Sequence, residues 1–424
     1  MIKAITGTKD ILPGDIPKWR QLENIVLDTM RRFNYKEIRT PVFEETALFA
    51  RGIGESTDIV SKEMYTFVDR SGTNITLKPE MTASVVRAFI EHSLDKQQSL
   101  NKLFYISPMF RQERPQAGRF RQFHQFGAEA LGSGDPKLDA EIIIIAYSVL
   151  KQLGLKNLQV KINSLGIPAS RENYKNVLRG YLEKHFNDLT EESRKRFNTN
   201  ILRIFDSKEE KDQRIMQNAP LLIDHLDENS LSHFEIVKEY LEMSSVEFEV
   251  DPKLVRGLDY YTHTTFEIIS GSVGSQSALC GGGRYDLLIE ELGGNPTPGV
   301  GFAAGIERIL LACENEKSFR IDLKRLDLYI VCQDQNLDKE VFRAANYFRE
   351  NGLSVSIDYL KRSSKAQTRE ADKNNAKYVL YMGGEAYAPE KVVLRRMYKR
   401  KCNKQRDFIF SANQLDEIIR KIKG

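Results

Sequence analysis

Phe110-Arg111-Gln112-Glu113-Arg114-Pro115-Gln116-Ala117-Gly118-Arg119-Phe120-Arg121-Gln122-Phe123-His124-Gln125-Phe126 is the stretch on which the fold turns. Pro115-Gln116-Ala117-Gly118 has the composition of a tight turn, so Met109–Glu113 and Arg119–Ala130 read as the two arms of a long antiparallel hairpin. A strand projects alternate residues to opposite faces. Arg121, Phe123, Gln125, Gly127 and Glu129 therefore share one face, and Phe120, Gln122, His124 and Phe126 share the other. The first set is too polar for a core wall. Arg111 and Glu113 lie together on the preceding strand, so the hairpin can present arginines, a flat ring and carboxylates to one ligand, a surface suited to a charged planar molecule such as a nucleotide. A solvated sheet face laced with ion pairs fits the same periodicity, and the pattern alone leaves both readings open.

Outward from the hairpin the chain organises itself into a sheet with helices. Asp15-Ile16-Pro17 starts a helix in which Trp19, Leu22, Val26, Met30 and Phe33 recur at helical spacing to about Asn34. Tyr35–Val42 reads as a strand with Pro41 near its end, where a ladder hydrogen bond can be spared. Met64–Val68 and Ile75–Leu77 form a second hairpin, followed by a helix over about Met81–Ser93. Beyond the long hairpin come a helix over Pro136–Gln152 and a strand near Gln159–Asn163. A polar, helix-favouring segment from about 167 to 246 reads as an insertion. Strand patterns resume at Asp259–Ile269, Ser277–Cys280 and Pro298–Ala304, the last leading into a helix near Gly305. From Leu326 the pattern alternates: Asp327–Cys332 strand, Lys339–Glu350 helix, Leu353–Ile357 strand, Ser364–Lys373 helix and Lys377–Met382 strand, a separate α/β domain.

Composition narrows the class. At 424 residues the chain exceeds a single core and suits two or three domains. With 41% hydrophobic and 29% charged residues it is neither disordered nor membrane-embedded, and no apolar run approaches the roughly 18 residues of a span. The N-terminus, Met1-Ile2-Lys3-Ala4-Ile5-Thr6-Gly7, lacks the apolar core of a signal peptide, which predicts the cytoplasm. Cys280, Cys313, Cys332 and Cys402 form no CxxC pair and have no histidine at ligand spacing, so neither zinc nor a disulfide framework is expected. A net charge of +4 is too balanced to identify a nucleic-acid partner. Residues 395, 396, 399, 400, 401, 404 and 406 are all Lys or Arg with no acid between them, a tract that fits either a phosphate backbone or a solvated hairpin face.

The letters of the hairpin closely resemble the second signature motif of the histidyl-tRNA synthetases. Leu254-Val255-Arg256-Gly257-Leu258-Asp259-Tyr260-Tyr261 is similar to the block that separates histidine enzymes from other class II synthetases. Gly299-Val300-Gly301-Phe302-Ala303-Ala304-Gly305-Ile306-Glu307-Arg308 resembles the third class II motif, and Arg39-Thr40-Pro41 the end of the first. In the C-terminal part, Asp358-Tyr359-Leu360-Lys361-Arg362-Ser363-Ser364-Lys365-Ala366-Gln367 and Ala376-Lys377-Tyr378-Val379-Leu380 resemble the family's anticodon-binding module. The resemblance implies an α+β catalytic domain on a mainly antiparallel sheet over residues 1–325, with a helical insertion at about 167–246, and an α/β anticodon-binding domain over 326–424. It implies a cytoplasmic homodimer with ATP, L-histidine and tRNA(His) as partners, Mg2+ carried mainly by the ATP phosphates, and no metal site of the protein's own.

By the same resemblance ATP falls to the hairpin: Arg111 on the α-phosphate, Glu113 beside it, Arg119 toward the outer phosphates, and adenine between Phe123 and the guanidinium of Arg308. Arginine suits these roles because it stays charged, offers a planar fork to phosphate oxygens and stacks on aromatic rings. Histidine falls to Glu80, Thr82 and Gln125 around the α-amino group and to Glu129 and Tyr261 on the imidazole, with Tyr260 and Tyr285 also lining the pocket. A carboxylate and a phenol can satisfy both ring nitrogens, and a site so matched rejects analogues by about 10⁴ to 10⁵. Arg256 is expected to be catalytic, together with Arg111, by stabilising charge on the α-phosphate as the histidine carboxylate attacks; one preorganised donor of this kind is worth on the order of 10² to 10³ in rate. Arg114 and Gln116, at the turn, are expected at the tRNA acceptor end. His124 and His263 are expected to be structural or pocket-wall residues.

Two departures stand out. Lys78-Pro79-Glu80-Met81-Thr82 replaces the family's common Arg-Pro-Glu-Gly-Thr, and residues 383–410 match poorly, so no anticodon contact is assigned. The rival reading is a synthetase-like regulatory subunit that binds histidine without catalysis; such paralogues typically lack the Arg256 block and the C-terminal module. A class II enzyme for another amino acid would need a different partner for Glu129 and Tyr261.

Overall fold

A computed structural model describes all residues except 1, 55, 56, 58, 117, 256–259, 277, 319–324, 385–389 and 398–406, and the side chains of 206, 275 and 276. The chain divides into two compact units, Met1–Ile321 and Asp322–Gly424.

The first unit is organised by eleven strands: β1 (Lys36–Glu37), β2 (Phe43–Glu45), β3 (Tyr65–Val68), β4 (Asn74–Leu77), β5 (Asn101–Phe110), β6 (Gln122–Leu131), β7 (Leu158–Ser164), β8 (Phe248–Val250), β9 (Thr262–Ser270), β10 (Ala278–Arg284) and β11 (Gly299–Gly305). Eight of them form one sheet in the order β1-β5-β6-β11-β10-β9-β7-β8, and β2-β4-β3 form a small second sheet. Pairing is antiparallel except at the two edges, where β1 runs parallel to β5 and β8 parallel to β7. The hairpin arms β5 and β6 lie side by side from Asn101↔Leu131 to Phe110↔Gln122. Beyond Phe110 the regular ladder gives way, because Pro115 cannot donate and the backbone N–H of Arg121 goes to Gly7 O at 2.7 Å. The hairpin is then held by Arg111 N to Arg121 O at 2.9 Å and by a bridge between Gln116 and Arg119.

The two faces of β6 have different fates. Phe126, Ala128 and Ala130 turn to a core built from the helices Ile16–Arg32, Pro136–Gln152, Glu228–Met243 and Ile306–Glu316. Each fully buried Leu or Ile there contributes about 1.5 to 3 kcal/mol over its exposed state. The helix Ile16–Arg32 buries Trp19, Leu22, Val26 and Met30, the stripe its sequence spacing predicts. The helix Pro136–Gln152 is started by Asp135, whose side chain accepts from Lys137 N, and by a proline in its first turn. On the other face, Tyr105, Met109 and Leu131 pack with Tyr260, Tyr261 and Tyr285, the helix Thr82–Glu91, and inserted helical residues such as Leu178 and Ile204. The site opens on this second face. The insertion itself comprises the helices Pro168–Glu183, Glu191–Thr199, Glu210–Met216 and Glu228–Met243.

Tyr35–Val42, predicted as one strand, is instead split. Only Lys36–Glu37 is strand, Ile38 N donates to Phe104 O at 2.8 Å, and the chain then leaves for the small sheet. Pro41 cannot donate, and the Val42 carbonyl is taken by Lys78 N at 3.0 Å, so this segment stitches two sheets rather than extending one. The strand expected at Ser277–Cys280 is longer: Ser277 lies outside the described residues, and β10 runs from Ala278 through the glycine triplet to Arg284.

The second unit carries β12 (Leu328–Cys332), β13 (Val355–Ile357), β14 (Tyr378–Met382), β15 (Lys391–Arg396) and β16 (Asp407–Ser411) in the order β13-β12-β14-β15-β16. Its first three strands are parallel, joined by the helices Asp338–Glu350 and Ser364–Lys373, and β15 and β16 add an antiparallel pair. Of the basic tract only Arg395 and Arg396 are among the described residues. Arg395 makes a two-pronged ion pair with Asp407, both contacts 2.8 Å, and Arg396 lies over the Tyr378 ring at 5.7 Å. Among the described residues no helix is long and apolar enough to cross a membrane, and no group of three or more acidic, cysteine or histidine side chains could hold a metal ion.

Candidate active site

A cavity of about 500 Å3 opens on the polar face of β6. Its floor is Phe123 and Gln125 of β6 with Gly301 and Ala303 of β11; Glu80, Thr82, Tyr260, Tyr261 and Tyr285 line it, as do Arg111, Glu113, Arg119 and Arg308.

The carboxylate of Glu129 anchors the first group of residues. Thr82 Oγ1 donates to its Oε1 at 2.8 Å, the Tyr105 hydroxyl donates at 3.5 Å, and the Tyr285 hydroxyl donates to Oε2. Burial pushes the Glu129 carboxyl up to about 8, against the three hydroxyl donors that favour its ionised form, and the neighbouring Glu80 adds to the rise. Burial likewise raises Tyr105, Tyr260 and Tyr285 well above the ordinary phenol. Glu80 is itself raised by burial, and its carboxylate accepts the backbone N–H groups of Thr82 at 2.7 Å and Ala83 at 2.9 Å, at the start of the helix Thr82–Glu91. Tyr260 packs against Tyr261 at 4.7 Å with the rings tilted by 47° and meets Tyr285 edge-on at 5.7 Å. The Gln125 side-chain oxygen is buried with no hydrogen-bond partner, an acceptor waiting for a donor. Two buried carboxylates and an unused amide oxygen make a pocket for a ligand rich in N–H groups and positive charge.

The second group is cationic. The Arg111 guanidinium covers the Phe123 ring at 5.4 Å while its Nε donates to Pro79 O at 2.9 Å. Arg119 Nη1 lies 2.8 Å from Glu113 Oε2. Arg308 donates to Gly118 O at 3.3 Å and Ala278 O at 3.1 Å, so it clasps the hairpin turn to β10; burial and the nearby Arg119 lower its hold on its proton. Phe123 and Arg308 thus reach the same cavity, but Arg111 is the residue that covers the ring. Arg114 and Gln116 are exposed at the turn. Arg256 lies outside the described residues. His124 points to the other face of β6, where its ring Nδ1 and backbone N–H both meet Glu307 at 2.9 Å and its ring packs edge-on against Trp19. His263, with φ of 41°, stacks on His233 at 5.0 Å.

Sequence reasoning missed Tyr105, Arg203 and Glu267 here. Tyr105 sits opposite Gly127 across β5 and β6, and a β-carbon at 127 would fall 2.3 Å from its hydroxyl. The lone glycine inside the strand was the available signal, since such a position marks a close approach. Arg203 also lines the cavity, from a short 3₁₀ turn in the insertion, and nothing local in the sequence marks it.

The family model described as Histidyl-tRNA synthetase matches residues 7–309, and that described as Anticodon binding domain matches 327–423. The chain is 49% identical over 397 residues to the Histidine--tRNA ligase of Halothermothrix orenii, covering 93% of this chain and 94% of that one. It is 46% identical to that of Thermoanaerobacter sp. strain X514 over 424 residues, the full length of both. The crystal structure of apo S. aureus histidyl-tRNA synthetase superimposes with a TM-score of 0.82 at 38% identity, covering 100% of each chain. With that match across the sheet and its cavity, and relatives of nearly half identity along its length, the chain belongs to the histidyl-tRNA synthetase family.

Proposed function

We propose that the protein joins L-histidine to tRNA(His) in two steps in this cavity. First a histidine carboxylate oxygen attacks the α-phosphorus of ATP, the bond to the outer two phosphates breaks, and histidyl-adenylate and pyrophosphate form. A hydroxyl at the tRNA acceptor end then attacks the activated carbonyl, and AMP leaves. The observation that carries the reading is the pair of buried carboxylates, Glu80 and Glu129, whose partners are backbone N–H groups and hydroxyls. Glu80, Thr82 and Gln125 take the α-ammonium group; Glu129, Tyr261 and Tyr285 take the imidazole, with Tyr260 packed behind. Arg111 holds the α-phosphate, Arg119 the outer phosphates, and Phe123 and Arg308 the adenine, while Glu113 belongs to the ATP site as the partner of Arg119. Arg256 stabilises the charge that builds on the α-phosphate, so the step needs positioning and electrostatics rather than a general base.

Magnesium fits this donor set as a companion of ATP. Glu113 and Glu267 line the cavity and both act on Arg308, which leaves phosphate oxygens to supply the remaining ligands, the usual way Mg2+ is held on a nucleotide. When bound, the ion neutralises phosphate charge. Arg114 and Gln116 meet the acceptor end, and the second unit reads the anticodon. We place the enzyme in the cytoplasm as a homodimer, for which exposed Phe43, Phe67 and Val68 on the small sheet offer apolar surface.

The test is pyrophosphate exchange with ATP, magnesium and each of the twenty amino acids, with Arg256→Ala alongside. Exchange with histidine alone, falling by on the order of 10² to 10³ in the variant, is expected. Histidine binding without exchange would overturn the reading in favour of the regulatory paralogue, against which the Arg256 block and the match of 327–423 to an anticodon-binding domain both weigh.

A further inference from the structure

Lys78 has no exposed surface, yet among the described residues its ammonium hydrogen-bonds only to Thr40, at 3.3 Å to Oγ1 and 3.4 Å to the carbonyl oxygen. Fully buried lysines are rare unless paired. Glu44, an acid that acts on it, is itself paired with Arg87 at 2.6 Å. Two long hydrogen bonds to neutral oxygens return little of what it costs to desolvate an ammonium. Such a residue calls for a purpose beyond stability.

The backbone around it supplies one. Lys78 N donates to Val42 O at 3.0 Å, Phe110 N donates to Lys78 O at 2.9 Å, and Arg111 Nε donates to Pro79 O at 2.9 Å. Residues 78 and 79 are therefore clamped between the Thr40–Val42 segment and the start of the ATP hairpin. Glu80 follows directly. On its far side Met81, also buried, receives the Thr40 hydroxyl at its Sδ, 3.5 Å away. One threonine thus touches both neighbours of the Pro79-Glu80 pair. These are the same two positions at which the sequence departs from the form it resembles, Arg to Lys at 78 and Gly to Met at 81. A shorter cation beside a filled space replaces a longer one beside an empty space, so the two departures make one physical change.

We propose that Lys78 and Met81 are positioning residues that act as a matched pair through Thr40 to set the Glu80 carboxylate for the substrate's amino group. The proposal rests on the assignment of Glu80 to that group. Its consequence is specific to one substrate: disturbing the pair weakens histidine binding and leaves ATP binding nearly unchanged, because the changed atoms are the side chains of 78 and 81, whereas the ATP hairpin meets this segment through the backbone carbonyls of Lys78 and Pro79 and Arg119 is held by Glu113.

The experiment is a double-mutant cycle of Lys78→Arg, Met81→Gly and the two combined, read as KM for histidine and KM for ATP in pyrophosphate exchange, with melting curves for each protein. Each single change is expected to raise the histidine KM about tenfold with the ATP KM unmoved, and the combination to return it to within about threefold of the parent. Thr40→Val, a milder change that keeps the side-chain shape, is expected to raise the histidine KM severalfold and keeps the test alive should a core variant fail to fold. Additive effects, or both KM values rising together, would overturn the pairing. Glu80→Gln runs beside them: a histidine KM that does not move in that variant overturns the Glu80 assignment and the proposal with it. A raised KM there, with an additive cycle, overturns the pairing alone.

Discussion

Gly301 of β11 lies opposite Glu129 of β6, and a β-carbon at 301 would come within 1.7 Å of Glu129 Oε2. The carboxylate occupies the volume that any other residue would need. Gly301→Ala must therefore push the Glu129 side chain away from Thr82 and Tyr285 or spread the two strands. A loss in kcat/KM for histidine of about 10²-fold is expected, in line with the cost of misplacing a group by an ångström, while the ATP KM changes little. Steady-state pyrophosphate exchange at varied histidine and varied ATP separates the two.

Glu129 also makes the ligand-free protein sensitive to pH. Folded, it keeps its proton up to about pH 8; unfolded, it releases it near 4.5, as an ordinary glutamate does. Between those values the folded state binds the extra proton, so raising the pH works against folding, by up to about 1.4 kcal/mol per unit for this group. Melting temperatures of the parent should fall from pH 6 to pH 8 more steeply than those of Glu129→Gln, which has no proton to lose. Parallel slopes for the two proteins would show that the carboxylate ionises freely in its pocket.

Much of this site could be read before the structure, and the failures have a common cause. Strand alternation separated Phe123, Gln125 and Glu129 from His124 and Phe126, because period two is a local property of the backbone; the structure puts Phe123 and Gln125 on the cavity wall, Glu129 buried behind Thr82 and Tyr285, and Phe126 in the core. The helix Ile16–Arg32 was equally legible from its stripe. What escaped was decided by distant chain: the split of Tyr35–Val42 depends on Lys78, the end of the hairpin ladder on Gly7, and Tyr105 enters the Glu129 cluster through the absence of a side chain at Gly127. Arg203 reaches the cavity from an insertion whose sequence shows only helix-forming polarity. The glycine triplet at 281–283, ordinarily a turn signal, lies inside β10 because a β-carbon at 282 would fall 2.1 Å from Gly301 O.

Arg111 over the Phe123 ring gives a prediction for ATP alone. The guanidinium occupies one face of the ring at 5.4 Å, so a purine must share or replace that contact. Phe123→Leu keeps an apolar wall and removes the π-face. A rise in the ATP KM of about tenfold is expected, the size of one stacking contact, with the histidine KM unchanged. Equal effects on both substrates would mean that the ring supports the whole pocket rather than the nucleotide.

Arg284 precedes Tyr285 and is tied to Asp139 with neither side chain exposed. Its Nε lies 3.1 Å from both Asp139 oxygens, and Nη1 donates to Ser133 O at 3.0 Å and Asp286 Oδ1 at 3.1 Å. Burial alone would raise Asp139, yet Arg284 and His233 hold it below the usual carboxylate range. The fork joins the start of the helix Pro136–Gln152 to the end of β10, the point from which the Tyr285 hydroxyl reaches Glu129. Asp139→Asn keeps the shape and removes the charge, which leaves the buried guanidinium with the partly exposed Asp286 as its remaining counter-ion; a loss of about 3 kcal/mol in unfolding free energy, the lower end for a broken buried pair, is expected from urea titration. Replacing both partners with apolar residues of similar volume, Asp139→Leu with Arg284→Met, removes the stranded charge as well. That double variant is expected to be more stable than Asp139→Asn while its histidine KM rises, because the fork that fixes the backbone ahead of Tyr285 is gone. A double variant less stable than the single would mean that the ion pair contributes net stability here, beyond the specificity of placing one tyrosine.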